Sequence, residues 1–219
     1  MDNRKGFHQS LEELQRDLLR MGVMVEEAIF LAVKSLAKLD GVIAQQVIAG
    51  DEAVNEMMVD IESSCLRLLA LQQPMASDLR VIGTAMKIVT DLERIGDHAV
   101  DIAKTTLRLE GEQLLKPLVD TPRMADMTKD MLRDALNAYV KKDLEIARGL
   151  EQKDDAVDKL FKQIFLELEE LMKSDPTHVH QAILLLLVCR MLERIADHAT
   201  NIGEWVIYML TGERQELNH

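Results

Sequence analysis

Apolar side chains recur every three or four residues along almost the whole chain, and this pattern predicts six long helices. The first helix shows the pattern clearly, because its apolar positions would share one face of an α-helix: Leu11, Leu14, Leu18, Met21, Val25, Ile29, Ala32 and Leu36. The same spacing places the helices at about 10–38, 42–72, 76–109, 124–141, 144–173 and 176–210. We therefore predict an all-α fold.

Residues that start or stop helices separate these segments. Ser10 followed by Glu13 resembles a capping box at the start of the first helix. Asp40-Gly41 ends this helix, Gln73-Pro74 ends the second, and Gly111 ends the third. Because the connections are short, neighbouring helices should run antiparallel, as in a helical bundle.

The segment 116–122 is a candidate linker, since it contains Pro117 and Pro122 in a short polar stretch. Three predicted helices precede it and three follow it. The expected architecture is therefore two tandem three-helix bundles, the first in residues 1–114 and the second in residues 115–219.

Two sequence motifs are repeated in the same order in both halves. Residues 91–103 read DLERIGDHAVDIA and residues 191–203 read MLERIADHATNIG, with eight of thirteen positions identical. Residues 51–55 read DEAVN, and 103 positions later residues 154–158 read DDAVD. The repetition of both motifs in order indicates an internal duplication.

The first repeated motif combines a core stripe with a strip of acids. On a helical wheel Leu92 and Ile95 belong to the apolar face, whereas Glu93, Asp97 and Asp101 fall about 100° to 180° from Leu92. The acids are therefore stacked at i, i+4 and i+8 on the side away from the core. The second copy keeps the first two acids as Glu193 and Asp197. Asn201 replaces the third acid, and Glu204 returns to the same face.

This acid strip could be a solvated charged face or a metal-binding site. A solvated charged face is common on helices, but like charges at i, i+4 destabilise a helix by a few tenths of a kcal/mol per pair. Carboxylates in this arrangement also suit a hard metal ion such as Mg²⁺, Ca²⁺, Mn²⁺ or oxidised iron. One strip supplies too few ligands, so the neighbouring helix must contribute the acids of the second motif, including Asp51, Asp154 and Asp158.

Composition narrows the functional class. The net charge of −12 argues against a nucleic-acid-binding protein and against adsorption to an anionic membrane surface. The two cysteines, Cys65 and Cys189, lie far apart in apolar helical surroundings and are expected to be buried free thiols. The sequence shows neither a signal core near its first residues nor a long apolar run, so we expect a cytoplasmic protein.

Several of these residues resemble the PhoU family of phosphate-transport regulatory proteins. The likeness is carried by Gln73-Pro74, Ala76 and Asp78-Leu79-Arg80, followed by Leu92-Glu93-Arg94-Ile95-Gly96-Asp97, and it extends over nearly the whole chain. The resemblance implies two three-helix bundles whose Glu/Asp-x-x-x-Asp motifs hold metal ions or clusters on the bundle surface. No catalytic or organic-cofactor residues are expected.

Carried over residue by residue, the resemblance implies two sets of metal ligands. They are Asp51, Glu93, Asp97 and Asp101 in the first half and Asp154, Asp158, Glu193 and Asp197 in the second. The ion would be iron, zinc, magnesium, manganese or calcium. Asn55 and Asn201 stand where an acid is expected, and their amide oxygens lack charge. His98 and His198 are expected to make surface or inter-helix hydrogen bonds rather than to bind metal.

The resemblance further implies a non-enzymatic regulator that represses phosphate uptake and the phosphate-starvation response. It would link a phosphate ABC transporter, through its ATPase subunit, to a membrane sensor histidine kinase, and it would form a homodimer. Two alternatives remain open on the residues alone: a metal-dependent enzyme or metal-storage bundle, and a plain helical scaffold whose acids only face solvent.

Overall fold

The computed structural model describes residues 2–72 and 74–217. Its helices are α1 (Asp2–Lys38), α2 (Gly41–Gln72), α3 (Ala76–Arg108), α4 (Asp120–Lys141), the short α5 (Leu144–Arg148), α6 (Leu150–Ser174) and α7 (Val179–Thr211), with a 3-10 turn at Pro176–His178. Over those described ranges no strand occurs. The predicted all-α fold is confirmed.

The helices form two bundles that share a long interface. Helices α1, α2 and α3 pack on one another, and so do α4, α6 and α7, with α5 against α4 and α7. The bundles meet where α3 packs on α7 and α1 packs on α4. The predicted arrangement of two tandem three-helix bundles is therefore confirmed, and α3 and α7 are its central helices.

Three predicted helix boundaries were wrong. α1 begins at Asp2 rather than Ser10, and the Ser10 hydroxyl donates to the Gly6 carbonyl oxygen at 3.1 Å inside the helix, so it is not a cap. α4 begins at Asp120, with Pro122 in its first turn, where the missing N–H is tolerated. The predicted fifth helix is divided at Gly149 into α5 and α6. Gln73, expected at the end of α2, lies outside the described residues.

The turn between the first two helices of each half is built in the same way. Leu39 and Lys142, 103 positions apart, adopt left-handed φ values of 50° and 54°. The next residue in each case is an aspartate whose Oδ1 accepts two backbone N–H groups of the following helix, at 3.0 and 3.1 Å for both Asp40 and Asp143. This is an N-cap, so the duplication extends to the backbone and its capping.

The apolar stripe of the repeated motif lies in the core, as predicted. Leu92, Ile95 and Ile102 on α3 and Leu192 on α7 are fully buried. Cys65 and Cys189 are buried free thiols, as expected. Within the described part of the chain no helix is long and apolar enough to cross a membrane.

Helices α3 and α7 cross antiparallel at the interface between the bundles. The Arg80 Nε donates to the Met209 carbonyl oxygen at 3.1 Å, and the Thr84 hydroxyl donates to the Trp205 carbonyl oxygen at 3.3 Å. Further along, Asp91 meets His198. The residue numbers of the partners decrease along α7 as they increase along α3. The two copies of the repeated motif therefore lie side by side in opposite directions.

Candidate metal centres on the two bundles

The four acids predicted in the first half lie together at the surface between α2 and α3. We call Asp51, Glu93, Asp97 and Asp101 the first cluster; Asp51 comes from α2 and the others from α3. All four are half-buried. Burial raises the pKa of Asp51, and the nearby charges of Asp97 and Asp101 raise it further. The mutual repulsion shows that these carboxylates share one electrostatic environment.

Glu93 has one carboxylate oxygen with no hydrogen-bond partner. Its Oε2 is buried from solvent, and the nearest cation is the Arg94 Nε at 3.5 Å, which does not align for a hydrogen bond. Burial raises the pKa of Glu93, and the negative charge of Asp97 adds to the effect. A buried, unsatisfied carboxylate oxygen costs free energy, and a cation at this position would remove that cost.

Three neighbours partly compensate the outer acids of the first cluster. The Arg94 guanidinium donates to Asp97 at 3.1 Å, and the Lys104 ammonium donates to Asp101 at 3.3 Å. The Asn55 amide donates to Asp51 Oδ2 at 3.1 Å. Asn55 thus uses its nitrogen on an acid of the cluster.

The four acids predicted in the second half lie together between α6 and α7. We call Asp154, Asp158, Glu193 and Asp197 the second cluster; the first two come from α6 and the last two from α7. Burial, reinforced by the charges of Asp197 and Asp158, raises the pKa of Asp154 to about 7. Burial is also the main cause of the raised pKa of Asp197.

Glu193 repeats the situation of Glu93. Its Oε2 is buried and has no hydrogen-bond partner, while its Oε1 accepts from the Arg190 guanidinium. Burial raises the pKa of Glu193, followed by the charge of Asp197. The duplicated glutamate therefore presents an unsatisfied oxygen in both clusters.

The donor chemistry fits a hard cation, although the side chains do not close around one. Each cluster offers four carboxylates, the ligands that Mg²⁺, Ca²⁺ and Mn²⁺ prefer, and one buried oxygen without a partner. Among residues 2–72 and 74–217, no three His, Cys, Asp or Glu side chains converge as ligands of a single ion. Binding an ion would require these half-buried side chains to rotate inward.

The two histidines of the repeated motif lie at the crossing of α3 and α7. The His198 Nδ1 is 2.9 Å from Asp91 Oδ1, and the Asn201 amide donates to the same oxygen at 3.5 Å. The expected inter-helix hydrogen bond is therefore present for His198. The ring centroids of His98 and His198 are 5.7 Å apart. A groove of about 660 Å³, lined by both histidines, joins this crossing to the first cluster.

His98 lacks the partner that His198 has. Its Nε2 is buried without a hydrogen bond, and burial lowers the pKa of its imidazole. The duplication explains the difference, because Met191 occupies in α7 the position that Asp91 occupies in α3. Sequence reasoning did not single out Asp91; the signal available was an acid next to Leu92 on the side away from the acid strip.

Comparison with known proteins gives a consistent result. The family model of the PhoU domain matches residues 18–106 and again 121–206. A phosphate-specific transport system accessory protein PhoU homolog from Clostridium acetobutylicum is 45% identical over 216 residues, which cover 98% of this chain and 99% of that one. A homolog of the same name from Pseudomonas putida is 41% identical over 208 residues, covering 94% and 81%.

Two crystal structures have the same fold. PhoU from Pseudomonas aeruginosa superposes with a TM-score of 0.90 at 38% identity and covers 94% of this chain and all (100%) of that one. The phosphate transport system regulatory protein PhoU from Streptococcus pneumoniae gives a TM-score of 0.89 at 35% identity, covering 95% and 99%. Two matches of the domain model and full-length relatives leave one assignment: the chain belongs to the PhoU family.

Proposed function

We propose that this chain is a non-enzymatic negative regulator of phosphate uptake and of the phosphate-starvation response. The observation that carries the proposal is the full-length match to relatives named as phosphate-specific transport accessory proteins. Both copies of the domain and both acid clusters are present, so the chain retains the parts that a two-site regulator needs.

The proposed partners are the ATPase subunit of a phosphate ABC transporter and a membrane sensor histidine kinase. A regulator of this kind works by binding rather than by turnover, and in the cytoplasm it would reach both proteins from the same side of the membrane. A homodimer would double the number of docking surfaces. The acidic surface, with a net charge of −12, favours partners with basic patches.

The proposed metal sites use the eight acids of the two clusters. Asp51 would hold an ion together with Glu93, Asp97 and Asp101, and the four acids of the second cluster would do the same. A bound cation supplies positive charge that relieves the repulsion among the carboxylates. It would also tie α2 to α3 and α6 to α7, because each cluster draws acids from both helices of a pair. The buried Oε2 atoms of Glu93 and Glu193 support this role.

The regulatory proposal is tested in a strain that lacks the gene. We expect that strain to keep high phosphate uptake and high expression of starvation genes even in rich phosphate, and the wild-type gene to restore repression. A deletion strain with normal repression would contradict the proposal. Complementation with Glu93→Gln and Asp97→Asn, compared with the exposed-face control Asp155→Asn, tests whether the first cluster contributes.

One observation favours a second candidate, a metal-dependent enzyme. An acid with a pKa of about 7, such as Asp154, can accept a proton at neutral pH. Elemental analysis of the purified protein together with a hydrolase and oxidase screen distinguishes the candidates. Metal without turnover supports the regulator, whereas turnover that depends on Asp154 supports the enzyme.

A further inference from the structure

The outer surface of the second bundle carries exposed apolar side chains on two neighbouring helices. Phe165 on α6 and Ile183 and Leu187 on α7 are 43%, 45% and 42% exposed. Phe161 and Leu186, half-buried, lie beside them on the same helices. We call these five residues the α6–α7 patch. Large apolar side chains exposed as a group often mark an interaction site.

Helix geometry places this patch directly beside the second cluster. Asp158 and Glu193 face each other across α6 and α7, since the charge of Asp158 contributes to the raised pKa of Glu193. Helices α6 and α7 are antiparallel. Phe165, seven residues after Asp158, and Leu186, seven residues before Glu193, therefore lie at the same level along the two helices. At a rise of 1.5 Å per residue Phe165 and Leu186 lie about 10 Å along the helices from the acids, and Phe161 lies between Phe165 and Asp158.

The duplication supplies an internal comparison. The positions in the first bundle that correspond to Phe165, Ile183 and Leu187 hold Glu62, Gly83 and Lys87, respectively. Both bundles fold in the same way, so folding does not require apolar residues at these exposed positions. The first bundle has its own exposed apolar residues, but they are spread over its surface: Leu66, Leu71, Met75 and Leu79 lie toward the α2–α3 turn, and Val23, Phe30, Val42 and Val59 lie elsewhere on α1 and α2.

The occupant of the patch is neither the described tail of this chain nor a second copy. The tail folds back at the other end of α7, where the Leu217 N–H donates to Glu204 at 2.8 Å. Three side chains that are 42% to 45% exposed and two that are half-buried offer less area than the roughly 800 Å² that each partner buries in a stable dimer. Two copies meeting here would also bring two acid clusters together on chains of net charge −12.

We propose that the α6–α7 patch docks an amphipathic helix of a partner protein, with apolar residues at i, i+3 or i+4, and i+7, and Lys or Arg about two turns beyond them. The apolar residues would cover Phe165, Ile183 and Leu187, and the basic residues would lie over Asp158, because the Arg190 guanidinium already covers Glu193. This inference goes beyond the proposed function, because it names a surface and does not depend on metal or on phosphate.

The test replaces Phe165 with the photo-cross-linking residue p-benzoylphenylalanine in the full chain, in cells. The matched control carries it at position 66, in the first bundle, where Leu66 is similarly exposed (56%). We expect a cross-linked product from position 165 and none of the same mass from position 66. Mass spectrometry of that product should give a segment with the apolar spacing and basic residues stated above.

A peptide of the captured segment then measures the contribution of the patch by fluorescence anisotropy. Leu187→Lys, which copies the residue of the first bundle, should weaken binding about tenfold, whereas Leu66→Glu should leave it unchanged. Both positions are exposed, so circular dichroism should show unchanged melting. Cross-links to this chain's own peptides, an acidic or non-amphipathic segment, no product specific to position 165, or equal binding by Leu187→Lys would each overturn the proposal. Loss of repression in the deletion strain is a separate result, so either idea can fail alone.

Discussion

The two acid clusters occupy equivalent places in a duplicated fold, yet they distribute their charges differently. The first takes one acid from its second helix and three from its third, while the second takes two from each. The difference arises at two pairs of equivalent positions: Asn55 corresponds to Asp158, and Asp101 corresponds to Asn201. Each cluster therefore has four carboxylates, although the helices contribute them in different proportions.

The clusters also differ in how strongly their surroundings oppose ionisation. Asp154 has a pKa of about 7, mainly because it is buried. Burial also raises the pKa of Asp51, but the hydrogen bond from Asn55 opposes this rise. Lys104 neutralises Asp101 in the first half, and its counterpart in the second half, Glu204, instead accepts the backbone N–H of Leu217. The second cluster thus holds the more strongly perturbed acid.

The largest expected effect concerns the equivalent core residues Leu92 and Leu192. Leu92→Ala and Leu192→Ala should each lower the free energy of unfolding by about 3 kcal/mol, because each leaves a cavity in a fully buried site. We expect one cooperative transition in urea for both variants, since α3 and α7 pack on each other. Leu71→Ala, at an exposed site, should change stability by less than about 0.5 kcal/mol. Separate unfolding of one half would show that the bundles are independent.

The next effect is the pH dependence of metal binding by the second cluster. Ligand carboxylates must lose their protons to bind a cation, and Asp154 holds its proton up to a pKa of about 7. Affinity for Mn²⁺ should therefore rise about tenfold per pH unit below this pKa and level off above it. Calorimetry on a chain carrying Asp97→Asn and Asp101→Asn isolates the second cluster. An affinity that does not change between pH 5.5 and 7 would contradict the expectation.

A smaller effect is expected on the stability of the metal-free protein. The pKa of Asp154 rises on folding from 3.8 to about 7, so the folded chain retains a proton that the unfolded chain loses. Stability should fall as the pH rises through this window. Because Asp154 is only half-buried, solvent screening reduces the effect, and Asp154→Asn should be about 1 kcal/mol more stable than wild type at pH 8 and equal to it near pH 4. Asp155→Asn is the control; a constant difference across pH would rule out the titration of Asp154 as the cause.

The smallest effect tests the asymmetry at the crossing of α3 and α7. Met191→Asp should place a carboxylate beside the His98 imidazole, as Asp91 lies beside Nδ1 of His198. We expect the pKa of His98 to rise, because a nearby negative charge favours the imidazolium, and stability to change by no more than about 1 kcal/mol. An NMR titration of the imidazole carbon protons measures the shift. No change at His98 would show that the pseudo-symmetry of the motif does not extend to its side chains.

Periodicity and helix breakers located the central helices well. α3 and α7 end within a residue or two of their predicted limits, because a proline or glycine coincides with the end of each apolar pattern. The start of α1 was missed since the residues before Ser10 carry little apolar signal, although Phe7 is buried. The break at Gly149 depends on tertiary packing: a Cβ on Gly203 of α7 would lie 3.2 Å from the Ala147 carbonyl oxygen.

The candidate site was predictable in membership but not in detail. The i, i+4 spacing brought Glu93 and Asp97 to one face, and the duplicated order of motifs pointed to Asp51 on the neighbouring helix. The contact between Asp91 and His198 could not be derived in this way, because it depends on how the two bundles cross. Whether the eight acids bind metal stays a prediction.

The hydrogen bond between Asp91 and His198 gives the molecule a short mechanical connection. Asp91 lies two residues before Glu93 of the first cluster, and His198 lies immediately after Asp197 of the second. A turn of α7 about its axis that repositions Asp197 must also move the imidazole that Asp91 holds on α3. Ligands arriving at opposite bundles would thereby influence each other's affinity, and by thermodynamic reciprocity the influence would be equal in both directions.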